Sequence, residues 1–287
     1  MARRALLGAL AGALAGAAAA RLAYAAFSRR PPVGDAETWE RTNHRGEPIT
    51  LLEGPAFAAG AAAAAAALPG LPVRTRAAVL LAVTGSGALG AYDDLYGATS
   101  SKGFRGHLNA LAKGEITSGA VKLVGIGVTG LAAAALTARG PVDVVVDGAL
   151  VAGSANLANL FDLRPGRAIK VGLLAGVPLL AAGLRRGDPV PAALIALPMG
   201  AALALLPEDL GERAMLGDAG ANALGALVGL AAATTLGRPG RLAVLGTVVA
   251  LTAASERISF TRVIAANPVL NRIDMLGRRP VEQAPAD

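Results

Sequence analysis

The sequence of 287 residues contains no cysteine and only two histidines, His44 and His107. The absence of cysteine excludes disulfide bonds, zinc–thiolate sites and catalysis by a thiol nucleophile. Two histidines without a cysteine also argue against a zinc site, which takes its ligands largely from these two residue types. Because both histidines lie in basic loops, we expect them to contact solvent or phosphate rather than a metal.

The chain is also poor in charged residues, which make up 16% of it, against about 25% in ordinary soluble domains. Hydrophobic residues make up 54%, the mean hydropathy is +0.52, and the apolar residues come in blocks of about twenty. This composition indicates a polytopic membrane protein. The formal charge of +7 is then explained by basic loops that face the cytoplasm and anionic lipid, and we expect no binding of nucleic acid.

Nine apolar segments approach the length of about twenty residues that a membrane-spanning helix needs. They cover 5–27, 51–70, 77–92, 117–138, 142–160, 170–184, 189–206, 219–236 and 241–256. The first begins like a signal peptide, but it is long and lacks an obvious cleavage site, so we expect an uncleaved helix. We predict an all-α polytopic membrane bundle of about nine transmembrane helices, with one domain over 1–257 and a polar tail over 258–287.

Lysine and arginine are unevenly distributed between the two sets of loops. They are more numerous in the loops after the first, third, fifth and seventh segments and in the tail. The positive-inside rule then places the N-terminus outside and the tail in the cytoplasm. Since the polar loops share the same predicted face, we expect the functional site at the cytoplasmic surface of the membrane.

Two adjacent carboxylates, Asp93 and Asp94, end the third apolar segment. A charge at membrane depth is costly, so an acidic residue in such a place is a candidate for function. Two neighbouring carboxylates also repel each other, and a divalent cation, a shared proton or a cationic partner would relieve the repulsion. The pair therefore favours metal-dependent or acid–base chemistry at a membrane surface.

Further oxygen donors stand at the ends of other apolar segments. Asn156 and Asn159 share a helix face, where they could join two helices or bind a hard cation. Asp218 lies between Gly217 and Gly220 at the start of the eighth segment, a place that suits a helix cap or a turn that binds phosphate or metal. Taken alone, each of these residues leaves both interpretations open.

Together these groups have the composition of a magnesium–diphosphate site. Magnesium prefers oxygen ligands and keeps water or substrate phosphates in its other positions, and lysine and arginine suit anionic phosphates. The candidate oxygen donors are Asp93, Asp94, Asn159, Asp162 and Asp218. The candidate phosphate contacts are Lys102, Arg105, Arg164 and Arg167. Lys122, inside the fourth segment, is instead expected to extend toward the membrane surface.

Three motifs, in order at the ends of predicted helices, resemble those of the polyprenyl-phosphate N-acetylhexosamine-1-phosphate transferases, the superfamily that includes phospho-N-acetylmuramoyl-pentapeptide transferase. Asp93-Asp94 resembles the family's aspartate pair. Asn156-Leu-Ala-Asn-Leu-Phe-Asp resembles its Asn-x-x-Asn-Leu-x-Asp signature, and Met215-Leu-Gly-Asp-Ala-Gly its Met-Gly-Asp-x-Gly turn. The loop over 43–48 is similar to the family's first inner loop, so the resemblance covers most of the chain.

The resemblance implies transfer of a sugar-1-phosphate in cell-wall or surface-glycan synthesis. A polyprenyl phosphate, of undecaprenyl or decaprenyl length, would attack the β-phosphorus of a nucleoside-diphosphate sugar such as a UDP-sugar and release nucleoside monophosphate. By resemblance, Asp218 and the amide oxygen of Asn159 would bind magnesium, with manganese as an alternative, while Asp93 and Asp94 would lie beside the lipid phosphate and the metal. The family resemblance also suggests a homodimer.

Several positions depart from the family pattern. Pro165 replaces the second aspartate of the Asp-Gly-x-Asp-Gly continuation, and Met215 stands where many members carry an aromatic residue. The histidine-rich loop after the ninth helix is replaced by a segment whose Glu256 and Arg257 could contact sugar or phosphate. We therefore expect the metal–diphosphate core to be retained and the nucleotide and sugar sites to be altered. The expected substrate contacts are Asn156, Asp162, Arg164, Lys102, Arg105, Arg167, Met215, Glu256 and Arg257.

Three other functions compete with this interpretation. A CDP-alcohol phosphatidyltransferase would need a pattern of spaced aspartates that no segment here fits. An ion-coupled transporter would place its acidic residues near the bilayer midplane on broken helices, whereas these residues cluster at helix ends. A family member that has lost catalysis and binds a lipid-linked glycan or a partner is the second interpretation, because of Pro165 and the missing histidine loop.

Overall fold

The computed structural model describes residues 1–97 and 117–280, in which the chain forms eleven α-helices and one short β-hairpin. The long helices are α1 Ala2–Arg29, α2 Glu53–Ala67, α3 Val73–Tyr96, α4 Ser118–Thr137, α5 Pro141–Phe161, α6 Arg167–Arg186, α7 Pro189–Leu210, α8 Gly217–Thr235 and α9 Arg238–Ser255. Each contains most of one predicted apolar segment, so the prediction of an all-α bundle is confirmed. Two short helices follow, α10 Phe260–Ala266 and α11 Pro268–Met275. In the hairpin, β1 Glu40–Thr42 pairs antiparallel with β2 Pro48–Thr50.

Five of the helices, α1, α4, α5, α6 and α7, are long and apolar enough to cross a membrane. A sixth results if α9 and α10, which are bent by 97° at the break between them, count as one span. The helices over 1–97 and 117–280 therefore indicate a membrane protein, but with fewer clear spans than the nine predicted. Helix α2 has only 15 residues, and Asp218, Asn222 and several glycines lower the hydropathy of α8.

Helix α8 lies at the centre of the bundle and packs against α2, α3, α5, α6 and α7. Nearly all of its residues are buried. Glycines allow neighbouring backbones to approach closely: Gly225 lies against Ser154 of α5, and Gly90 of α3 lies against Asp218. Because a side chain at either glycine would meet main-chain atoms, these small residues set the position of α8 relative to α3 and α5.

Helix α1 packs along α7 through a second stripe of glycines. Gly12 and Gly16 face Ala193 and Leu197 of α7, and a Cβ added to Gly12 would lie 2.6 Å from the carbonyl oxygen of Ala193. Small residues at a spacing of four are typical of membrane helices whose backbones approach closely. The N-terminal helix is therefore an integrated part of the bundle.

The polar loops meet at one end of the bundle. Arg41 of β1 donates to the main-chain oxygen of Asp94 at the end of α3. Arg45, in the hairpin turn, donates to the buried carboxylate of Glu212 at 3.0 Å and to the main-chain oxygen of Arg279 at 3.0 Å. For the described loops, the prediction that they share one end of the bundle is confirmed, while the side of the membrane that they face stays a prediction.

The described part of the tail docks on this polar end. Asp274 of α11 accepts hydrogen bonds from the Arg167 guanidinium at 2.7 and 3.1 Å, and its main-chain oxygen accepts one from Lys170 at 2.5 Å. Burial disfavours a charged carboxylate here, but the hydrogen bonds and charge of Arg167 outweigh burial and hold the pKa of Asp274 below its ordinary value. The ion pair therefore anchors α11 to α6.

Replacing Gly12 by valine should destabilise the bundle, because the added side chain meets the α7 backbone. We expect a loss of about 1–3 kcal/mol, the usual cost of overpacking, measured as a lower unfolding temperature in detergent. Gly127 of α4 is the matched control, since an added Cβ there meets nothing within 4 Å. Equal losses in Gly12→Val and Gly127→Val would contradict the close packing of α1 on α7.

Acidification should release the tail. Because the pKa of Asp274 is lowered in the folded protein, its ion pair contributes stability above the ordinary aspartate pKa of 3.8, and this contribution is lost as the pH falls through the lower folded value. Hydrogen–deuterium exchange, corrected for the intrinsic effect of pH, should show loss of protection over 260–275 in acid. Arg167→Gln should show the same loss already at neutral pH, and unchanged protection in that variant would refute the anchor.

Candidate functional site

Lys122 of α4 lies between two carboxylates that come from different helices. Its ammonium nitrogen is 2.7 Å from Asp93 Oδ2 of α3 and 2.5 Å from Asp218 Oδ2 of α8. The three side chains are between 15% and 25% exposed, so water screens their charges only in part. We refer to Asp93, Lys122 and Asp218 as the ionic centre. It joins α3, α4 and α8 at the polar end of the bundle.

The second aspartate of the pair has a different partner. Asp94 accepts hydrogen bonds from the main-chain N–H groups of Asp218 and Ala219, both at 2.9 Å, and so caps the N-terminus of α8 from outside that helix. Gly217 has a φ of +58°, and a Cβ added there would lie 3.0 Å from the Asp94 carboxylate. Glycine is therefore needed at this turn. Asp94 holds the free N–H groups that a phosphate would otherwise use.

The structure separates the two interpretations of Asp218 and of the asparagines. The Asp218 side chain does not cap α8, because Asp94 does so, and it faces Lys122 instead. Neither Asn156 nor Asn159 forms a side-chain hydrogen bond to another helix within the described ranges. The amide oxygen of Asn159 therefore remains available as a ligand.

Asp162 follows the last residue of α5 and lies buried near the ionic centre. Burial raises its pKa well above the ordinary value, and the negative charges of Asp209, Asp218 and Asp94 raise it further. One of its carboxylate oxygens is buried without a hydrogen-bond partner in the part of the chain that is described. The four predicted aspartates are thus brought to one region, from three helix ends.

Two further buried acids adjoin Asp162 and were missed by the sequence analysis. Both carboxylate oxygens of Glu53, the first residue of α2, are buried without a partner among the described residues. Asp209, near the end of α7, accepts a hydrogen bond from the Gly166 N–H at 2.8 Å through one oxygen only. The sequence does carry a signal for Glu53 and Asp209, because both acids lie at the border of an apolar segment, as Asp93 does.

Arg167, a candidate phosphate contact, does not face the ionic centre as an open cationic group. It is 4% exposed, and its guanidinium donates to Asp274 and to the Thr261 hydroxyl. Arg164 is partly exposed and donates to the main-chain oxygen of Leu163. Arg167 therefore binds the tail, and its guanidinium is not free to contact a phosphate.

Three of the remaining predicted substrate contacts lie within the described ranges. Met215 packs against the buried cluster of Trp39 and Leu51. Glu256 and Arg257 are exposed just after α9. Other predicted residues, namely Lys102, Arg105 and His107, lie outside the described ranges. Burial lowers the pKa of His44, which lies 3.7 Å from the Glu212 carboxylate in the hairpin network.

The expectation for Lys122 did not include a partner, whereas the structure pairs its ammonium with Asp93 and Asp218. Two carboxylates on neighbouring helices attract its ammonium into the bundle more strongly than solvent at the helix end. A lysine inside an apolar segment was itself a signal of function. What the sequence did not show was that Asp93 and Asp218 both lie within its reach.

The ionic centre can be tested for its fit to magnesium. Over 1–97 and 117–280, no group of three or more Asp, Glu, His or Cys side chains is arranged to hold a metal ion. Asp93 and Asp218 nevertheless point at one cation, and magnesium is commonly held by one or two carboxylates plus substrate phosphates. The two carboxylates therefore fit a magnesium ion that takes the place of the Lys122 ammonium and draws its other ligands from elsewhere.

No model of a known protein family matches the chain, and no curated protein is similar to it at a significant level. The motifs that carry the family resemblance lie at the end of α3, the end of α5 and the start of α8. The geometry of these three helix ends is thus the main guide to function.

Lys122→Gln should lower the free energy of unfolding when divalent cations are absent, because Asp93 and Asp218 then lack their counter-charge. We expect a loss of about 3–5 kcal/mol, as for other broken buried ion pairs. Magnesium chloride should raise the unfolding temperature of this variant more than that of the wild type. The control is Lys170→Gln, which replaces the other lysine that the structure describes. Magnesium chloride should raise its unfolding temperature no more than that of the wild type. An equal effect of magnesium on all three proteins would mean that the carboxylates form no cation site.

Proposed function

We propose that the protein transfers a sugar-1-phosphate from a nucleoside-diphosphate sugar to a polyprenyl phosphate in a magnesium-dependent reaction. The observation that carries this proposal is the convergence of Asp93 and Asp218 on one cation position, at the polar end of a bundle of apolar helices. A water-soluble diphosphate and a membrane lipid phosphate can meet only at such a boundary. The order of the three motifs along the chain supports the same reaction.

We further propose that the bundle crosses a bacterial plasma membrane with nine helices. Its polar end would lie on the cytoplasmic side, and its N-terminus outside. The basic residues of its loops support this orientation. The packing of α8 supports its crossing despite its low hydropathy, because a helix enclosed by other helices does not need an apolar surface toward lipid. A homodimer stays a prediction.

In the proposed reaction, an oxygen of the polyprenyl phosphate attacks the β-phosphorus of the donor. A new P–O bond forms, the bond to the bridging oxygen breaks, and the nucleoside monophosphate leaves with that oxygen. The attacking phosphate is already largely ionised at pH 7, so it requires no general base. The task of the protein is to align two anions and to stabilise the charge that develops on the diphosphate.

The residues of the site divide this task. Bound magnesium would neutralise charge on the diphosphate. Asp218 and Asp93, with the amide oxygen of Asn159, would hold it. Lys122, released from the carboxylates, would contact phosphate oxygens as a point charge. Asp94 would keep the start of α8 in place through the N–H groups of Asp218 and Ala219.

One observation favours a second candidate, a protein of this kind that has lost catalysis and binds a lipid-linked glycan. Lys122 already pairs with both carboxylates, as a built-in cation would in a site that takes no metal. Pro165, in place of an aspartate of the family pattern, favours the same candidate. The two candidates differ in turnover and in their response to magnesium.

The test is release of nucleoside monophosphate from a panel of nucleotide sugars, with purified protein, undecaprenyl phosphate and magnesium chloride. EDTA should abolish the release. Asp218→Asn should reduce it by about 10²-fold or more, the scale for loss of a group that stabilises charge in the transition state. Asp188→Asn is the matched control, because Asp188 caps α7 at the opposite end of the bundle.

Two results would decide against the enzyme. The transferase is rejected if no donor yields nucleoside monophosphate and if the wild type and Asp218→Asn give the same signal at the protein loads used. Binding of polyprenyl phosphate without turnover, unchanged by EDTA, would support the second candidate instead.

A further inference from the structure

The hairpin turn, the tail and the connection between α7 and α8 meet at one arginine. The Nε atom of Arg45 donates to both carboxylate oxygens of Glu212, at 3.0 and 3.1 Å. Another nitrogen of the same guanidinium donates to the main-chain oxygens of Arg279 and Pro280, at 3.0 and 2.9 Å. We refer to these contacts as the Arg45 clamp. Because a guanidinium presents its donors in a fixed plane, the clamp holds the two segments in a set relative position.

A second contact joins the tail to the hairpin. The Arg279 guanidinium donates to both carboxylate oxygens of Glu47, at 2.5 and 3.0 Å. Two parallel hydrogen bonds fix the orientation of such a pair as well as its distance. Since the two side chains are 38% and 41% exposed, water screens their charges, and we expect this pair to be weaker than the Arg45 clamp.

Glu212 has a backbone conformation that a glutamate rarely adopts. Its φ is +56°, and no other residue except glycine has a positive φ in the part of the chain that is described. A strained conformation of this kind persists only where the surrounding structure holds it. The Glu212 side chain is wholly buried and also accepts a hydrogen bond from the Asn43 amide at 3.0 Å. The Arg45 clamp and Asn43 therefore hold the strained residue in place.

The residues that follow Glu212 lead directly to the ionic centre. Thr50 of β2 donates to the main-chain oxygen of Arg213 at 3.3 Å and accepts a hydrogen bond from the Met215 N–H at 3.0 Å. Asp218 lies three residues after Met215, at the start of α8. The connection between α7 and α8 is thus bound to the hairpin along its length, just before the Asp218 turn.

The hairpin also contacts the end of α3. Arg41 of β1 donates to the main-chain oxygen of Asp94, and the Asp94 carboxylate accepts hydrogen bonds from the N–H groups of Asp218 and Ala219. The hairpin is therefore linked to both of the helix ends that supply carboxylates to the ionic centre. A displacement of the hairpin would act on the Asp218 turn through both links.

We propose that Arg45 is a positioning residue for Asp218, and that the tail end over 278–280 is a strap that holds Arg45 in place. The Arg45 clamp fixes Glu212 against the hairpin, and the connection to α8 carries this restraint to the Asp218 turn. Release of the strap loosens the turn, although the ionic centre itself contains no tail residue. The consequence for magnesium rests on the proposed function, whereas the coupling of the tail to the turn does not.

Hydrogen–deuterium exchange of the full chain in EDTA measures this coupling without metal or substrate. Arg279→Gln should raise exchange over 217–222, at the start of α8, by about two- to fivefold, the scale of an exposed ion pair. Arg45→Gln should raise it by about 10²-fold or more, the scale of a broken buried ion pair. Arg272→Gln is the matched control, because it removes the same charge from an exposed position of the same tail and should leave this exchange unchanged.

Magnesium provides a second readout, which a purely structural role of the strap would not change. Magnesium chloride should raise the unfolding temperature of Lys122→Gln, as predicted above. Addition of Arg279→Gln to this variant should increase severalfold the magnesium concentration that gives half of the rise. Addition of Arg272→Gln should leave that concentration unchanged.

Two results would overturn the proposal. Raised exchange over 40–50 with unchanged exchange over 217–222 would show that the hairpin moves without the Asp218 turn. Equal effects of Arg279→Gln and Arg272→Gln would show that loss of charge, and not loss of the strap, is responsible. If unfolding temperatures show that Arg45→Gln does not fold, Arg279→Gln decides the question. Coupled exchange without any effect of magnesium would count against the proposed magnesium site and would still support the strap.

Discussion

The ion pair of Lys122 with Asp93 and Asp218 is the interaction on which the polar end of the bundle depends. It joins α3, α4 and α8 through charges that water screens only in part, so the loss of Lys122 leaves two carboxylates without their counter-charge. Asp94 adds a second link between α3 and α8 by holding the N-terminus of α8. The last turn of α3 thereby sets the position of the Asp218 turn.

This arrangement divides the aspartate pair between two roles. Asp93 faces the cation position, and Asp94 caps the N-terminus of α8. The buried acids Asp162, Asp209 and Glu53 add oxygens without partners among the described residues. Within the ionic centre itself, two carboxylates face the single ammonium of Lys122, so the pair has one negative charge in excess, which attracts a cation. That excess is the physical basis of the proposed magnesium site.

Ion pairs hold the two ends of the α9 region of the bundle. Helix α9 is joined to α5 at the end opposite to the ionic centre, where Arg241 donates to Asp147 at 2.6 Å and to Asp143 at 3.0 Å. At the polar end, Asp274 fastens the tail to Arg167 of α6. Between these two anchors α9 leaves its apolar surface open, which suits an element that meets lipid.

The sequence by itself determined the nine long helices and the clustering of polar loops, because apolar blocks and charged breaks are local properties of the chain. It also identified Asp93, Asp94, Asp162 and Asp218 as candidate oxygen donors of one site. Only the tertiary structure decided that Lys122 turns inward and that Arg167 serves the tail. Whether a long cationic side chain meets solvent or a carboxylate depends on how its helix is rotated and which helix lies opposite. For Lys122, the rotation of α4 is constrained by Gly130, where an added Cβ would lie 2.6 Å from the main-chain oxygen of Gly148 in α5.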